Sequence, residues 1–241
     1  MKTQFKTFFA VAATAAAVSV FWLSQDVTEA QNASRTEIPR TPDGKPNFNG
    51  IWQSMNAAYW DLEPHEARHG PLAALAAGAH LAVPPGMGVV EGGMLPYRDG
   101  QRAIKEENQR NWLERDPATQ CKLPGVPRAT YQPYPFQIFQ SPTATLLSYQ
   151  FAGADRIVHM DKPDMEPQVD AWMGTNVGSW DGDTLVIDVM GQMPDTWFDR
   201  SGNFHSGWDM HVQERYTLID ANTIDYSATI NDPNVYERPW T

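Results

Sequence analysis

From residue 136 onward, apolar and polar residues alternate in short runs. Ile224, Tyr226, Ala228 and Ile230 fall on one face of a segment, and Asp225, Ser227, Thr229 and Asn231 on the other. That two-residue period belongs to a half-buried strand. Phe136 to Gln140, Ala144 to Phe151, Arg156 to Met160, Gly174 to Trp180, Thr184 to Val189 and Met210 to Ile219 are β-rich runs separated by turn residues. Asp181-Gly182 suits a tight hairpin turn, and Asp220-Ala221-Asn222 divides the last pair of runs. Six or seven strands in succession with one apolar face predict a mainly β fold. The expected form is an antiparallel meander closing into a lipocalin-like barrel or half-barrel.

The first half lacks this grammar. Gly-Ile-Trp within Asn49 to Trp60 suggests a first short strand. Residues 61 to 98, which mix the Ala-rich stretch Leu72 to Ala82 with Gly and Pro, read as a covering loop holding a turn or two of helix. Asp99 to Arg115 predicts one helix, capped by Asp99, free of Pro, and ended by Pro117. Five prolines between 116 and 135 predict extended loop. The expected organisation is a signal peptide over 1–30 and a single domain over 31–241. Within that domain, 31–135 would wrap, with its helix near 99–115, and 136–241 would form the meander.

The signal expectation rests on Lys2 and Lys6, the apolar run from Phe8 to Leu23, and the small-residue site ending at Ala30. Cleavage after Ala30 would leave a periplasmic or secreted chain, and the run is too short for a membrane span. The segment holds two basic residues and two acidic ones (Asp26, Glu29), so its loss leaves the net charge of −11 unchanged. An acidic chain without a basic run argues against nucleic-acid partners. A lone cysteine, Cys121, excludes an intrachain disulfide framework and is read as a buried, inert thiol. Nine Trp, ten Phe and eight Tyr supply the core instead.

Three groups of residues carry candidate chemistry. His65-Glu66-Ala67-Arg68-His69 fits H-E-x-x-H, in which two His one helical turn apart hold zinc and the Glu activates water. Gly70-Pro71 follows at once and should end any helix there, and a third ligand is undefined, with His80 and Glu91 only downstream candidates. A surface turn is the plainer reading. The run from Trp197 to Arg215 brings Asp199, Arg200, His205, Asp209, His211 and Glu214 into one loop and strand start. His205 and His211 would act as acid/base groups or metal ligands, with Asp199 or Asp209, or simply hold the loop together. Glu214 shares its face with Met210, Val212, Tyr216 and Leu218, where a carboxylate needs a partner. It is either an interior general acid or base, or half of an ion pair with Arg156. Arg200 or Arg215 would orient an oxyanion or carboxylate. Trp180, Trp197 and Trp208 would line a pocket, unless they are core. No G-x-S-x-G, P-loop or G-x-G-x-x-G occurs.

Trp180-Asp-Gly-Asp-Thr-Leu-Val-Ile-Asp188, Trp197-Phe-Asp199, His205-Ser206, His211-Val-Gln-Glu-Arg215, Asn231-Asp-Pro233 and Arg238-Pro-Trp-Thr241 resemble the C-terminal block of a family of exported bacterial proteins. Asp116-Pro117, Cys121 and Pro124 to Arg128 resemble its upstream block. The resemblance covers most of the chain after residue 30 and implies export and a common fold rather than a reaction. Ser206 to His211 and Met193-Pro194-Asp195 depart from the family wording. Together these observations point first to an exported enzyme of acid/base type (lyase, isomerase, hydratase or hydrolase) acting on a largely apolar molecule in a β-barrel cavity. A lipocalin-like carrier is the alternative, and a zinc hydrolase built on His65 and His69 a third reading.

Overall fold

In the computed structural model, which describes residues 37–70 and 82–241, eight strands form one sheet in the order of the chain. They are β1 (Gly50–Trp52), β2 (Phe136–Gln140), β3 (Ala144–Tyr149), β4 (Asp155–His159), β5 (Thr175–Asp181), β6 (Thr184–Met190), β7 (His211–Asp220) and β8 (Thr223–Asn231). The sheet curls into a half-barrel of mostly antiparallel strands, consistent with a lipocalin-like half-barrel. The signal segment, most of the Ala-rich stretch and His80 lie outside the described residues. Among the described residues, no helix is long and apolar enough to cross a membrane.

The alternation does what the pattern predicts. In β7 Val212, Glu214, Tyr216 and Leu218 are buried while Gln213, Arg215 and Thr217 are half-buried. Ile187 faces Glu214 across the ladder and Leu185 faces Tyr216. Ile138, Leu147, Val158, Ile187 and Val212 supply the aliphatic core of the sheet. Asp181-Gly182 turns β5 into β6, with Asp181 and Thr184 paired at the mouth.

Several expectations need correction. The meander is interrupted, because β4 and β5 run parallel over Val158–Asn176 and His159–Val177. Parallel neighbours need a crossover rather than a hairpin, and residues 160–174, with Pro163 and Pro167, make it. Gly178 permits the close approach there, since a Cβ would collide with Met160 Sδ. The single helix is in fact two, α1 (Gln101–Arg110) and α2 (Trp112–Arg115). Asp99 does not cap α1; left-handed Gly100 precedes it without a side-chain cap. The break falls at Asn111, whose Nδ2 donates to the Glu107 carbonyl 2.9 Å away and competes with the helix ladder.

The irregular half carries two-point ion pairs beside its short helices, one buried and one partly exposed. Arg128 donates two hydrogen bonds to Asp116, at 2.7 and 2.8 Å, and both residues are buried. Arg102 does the same for Glu63. Cys121 is exposed, contrary to the buried thiol expected, and stands at the left-handed end of the turn Pro117–Gln120.

Candidate functional site

The buried face of the sheet holds a polar network. Glu214 and Arg156, both fully enclosed, form a two-point ion pair at 2.5 and 3.0 Å. Tyr216 and Tyr226 donate to Glu214 Oε1 at 3.0 and 2.8 Å, and Thr130 lies 3.4 Å from it. Arg156 also donates to Asn176 and to the Tyr149 hydroxyl. Burial alone would lower the pKa of Arg156, but the Glu214 carboxylate outweighs it and raises the value well above normal. Burial and then Glu214 push the Tyr226 phenol up. Glu214 therefore has the ion-pair partner that strand alternation offered.

A cleft of about 380 Å³ opens beside this network. Leu62, Val90, Pro127, Tyr131, Ile230 and Trp240 give it apolar and aromatic walls, and Tyr226 connects it to Glu214. The cleft follows the last strand of the sheet. Successive residues of a strand turn their N–H and C=O groups to opposite sides. Ile230 bonds Trp240 on the side away from β7, so Ala228 and Tyr226 direct their backbone groups to the same edge. Trp240 also brings a buried indole N–H with no hydrogen-bond partner among the described residues. Glu91, Asp225 and Ser227 complete the rim.

The residues between Trp197 and Arg215 do not converge on one space. His205 is buried, with Nε2 2.6 Å from Thr196 Oγ1 and Nδ1 unpartnered among the described residues. Burial lowers its pKa to about 4, so at neutral pH it is uncharged. It lies behind Phe198, which is itself packed edge-on against Trp240. His211 falls on the opposite face of β7 from Glu214 and meets Asp188 at 2.8 Å, half exposed. Arg215, on that same outer face, pairs with Asp181. Asp209 is exposed and accepts from Asn234.

Asp199 belongs to a different cluster. Its carboxylate accepts from the backbone of Leu62 and Ser201, both at 2.8 Å, and from the Asn203 side chain at 2.5 Å. Asp61 shares the Asn203 side chain with it and accepts from the Ser201 hydroxyl. Burial, and then the Asp61 carboxylate, push Asp199 up to about 7. Nearby Glu63 behaves oppositely. Burial would raise it, yet Arg102 and the Leu95 N–H hold it below its ordinary value. Sequence reasoning missed Asp61, Glu63, Arg68 and Lys105, which adjoin this cluster.

Arg200 lines a second cleft, and His69 shares it. Trp180, Trp197, Trp208 and Arg215 line neither of the two clefts. Trp197 is buried core and pairs with Phe204, Trp180 packs on Phe48, and Trp208 is exposed. The H-E-x-x-H reading fails on geometry. His65 and Arg68 pair as β-bridges with Gly86 and Val83, so the two His are not one helical turn apart. Both His65 ring nitrogens meet backbone carbonyls, and among the described residues no group of three or more His, Cys, Asp or Glu is arranged to hold a metal ion.

No protein-family model matches this chain, and neither a curated protein nor a solved structure does.

Proposed function

We propose that the chain is an exported small-molecule-binding protein. The seam cleft, which is the groove of about 380 Å³ along the outer edge of β8, takes a flat, largely apolar organic molecule that carries a hydrogen-bonding substituent. The observation that carries this reading is the cleft itself. It has a volume of about 380 Å³ and is walled by Tyr131, Tyr226 and Trp240, within the usual range for small-molecule sites. Aromatic faces supply the apolar contact. The strand-edge groups of Tyr226 and Ala228 offer orienting hydrogen bonds.

Binding is favoured over acid/base turnover because His205, His211 and Glu214 occupy three separate environments. Glu214 already accepts from Arg156 and two tyrosines, so its oxygens are occupied by the protein itself. Its network serves as a rigid polar floor that fixes Tyr226.

The test uses Nile red, a neutral apolar dye. The mature protein should raise its fluorescence saturably, and Ala228→Phe, which fills the cleft, should weaken binding at least about tenfold with the fold intact. Equal binding by a folded Ala228→Phe protein would remove the cleft from consideration.

A further inference from the structure

The second cleft has a different chemistry. Its volume is about 480 Å³, and Arg68, Arg110, Arg200, His69, Gln109 and Trp112 line it with Val83 as an apolar wall. The chain carries 29 acidic residues against 18 Lys and Arg, yet among the described residues three guanidinium groups and no carboxylate line this cleft. Such a concentration of one sign against the net charge is a site-level feature.

Two of the guanidinium groups are also held in place. Arg200 lies between two indoles, 4.9 Å from Trp60 and 4.0 Å from Trp112. Arg68 donates to Ser201 Oγ at 2.7 Å and stands 3.5 Å from Asp61, while its Nε is buried without a partner among the described residues. Asp61 offsets part of the Arg68 charge, and Asp116 acts electrostatically on Arg200. Arg110 ends α1, is exposed, and makes no side-chain hydrogen bond or ion pair among the described residues. Positive groups fixed before binding lose little entropy when an anion arrives.

We infer that this cleft binds a small planar organic carboxylate, with the carboxylate among Arg68, Arg110 and Arg200 and the ring against Val83 and Trp112. Guanidinium groups match a carboxylate two-point, and the adjacent apolar and indole walls accept a flat hydrocarbon body. The site is separate from the seam cleft, with which it shares no lining residue.

The experiment follows the Trp112 indole N–H by NMR in the mature protein, with the signal assigned through Trp112→Phe. Benzoate should shift this signal saturably, while benzamide, its neutral counterpart, should not. Sulfate at matched ionic strength should bind at least about tenfold more weakly than benzoate. Arg110→Gln, a surface change, should weaken benzoate at least about tenfold, the loss expected for a charged hydrogen-bonding partner. Nile red held at the seam should remain bound throughout, so failure here is distinguishable from failure of the proposed function. Benzamide binding as well as benzoate would overturn the inference, as would sulfate matching benzoate or an Arg110→Gln protein that binds benzoate unchanged.

Discussion

Glu214 and Asp199 are both fully buried carboxylates, but the protein accommodates them in opposite ways. Glu214 stands on a strand and meets a guanidinium opposite it, with tyrosine hydroxyls filling its remaining acceptor sites. Asp199 sits in a loop, accepts from backbone N–H groups and an amide, and has a second carboxylate, Asp61, for a neighbour. The regular element supplies a compensating charge. The loop supplies dipoles and leaves the acid pushed up to about 7. Burial therefore acts together with the neighbours of a carboxyl, and for Asp199 the second carboxylate adds to it.

The largest effect should come from breaking the first arrangement. Arg156→Met leaves Glu214 enclosed without a cation and should cost about 3–5 kcal/mol in urea unfolding. Adding Glu214→Leu should recover much of that loss, because two matched apolar groups need no compensation. A single Arg156→Met protein within about 1 kcal/mol of the parent would show that the hydroxyl shell alone suffices.

The second arrangement should be visible in pH dependence. Asp199 has a folded-state pKa raised from 3.8 to about 7, so the folded chain binds its proton more tightly. That stabilisation is complete below the unfolded value and is lost as pH rises toward 7. His205 works the other way. Its pKa falls from 6.5 to about 4 on burial, so its contribution is present above 6.5 and is lost as pH falls toward 4, by on the order of 2–3 kcal/mol. Between pH 4 and 6.5 the two slopes oppose each other in the parent chain. Urea midpoints across this window should rise with pH in Asp199→Asn and fall with pH in His205→Gln. Parallel profiles in all three proteins would remove both groups from the titration.

The same contrast explains what the sequence could reveal. Alternation alone put Glu214 on the apolar face of β7 and proposed Arg156 opposite it, since a two-residue period survives folding unchanged. It also separates position 211 from 214, so the scattering of His211 and Glu214 was legible in the parity of their numbers. Nothing local announces that Asp199 meets the Leu62 backbone, 137 residues away. The Arg68–Arg110–Arg200 cleft needs an extended segment, a helix end and a loop brought together, a juxtaposition that no spacing encodes. The parallel β4–β5 pair rests on two residue pairs, too few to leave a pattern. The seam cleft falls between these cases. β8 gave Tyr226 and Ile230 by period, while Tyr131 and Trp240 arrive from outside the regular strands.

The smallest effect should belong to the outer face of the sheet. His211 accompanies Gln213 against Asp188, with its side chain 40% exposed, and touches neither cleft. An exposed pair of this kind contributes little, because water and salt screen it and two side chains must be ordered to form it. His211→Ala should therefore change unfolding by no more than about 0.5 kcal/mol and leave Nile red binding unaltered. A large loss of binding with the fold intact would mean that the outer surface of β6 and β7 takes part in recognition. The contrast between strand-held and loop-held carboxylates would then no longer account for where this chain keeps its functional groups.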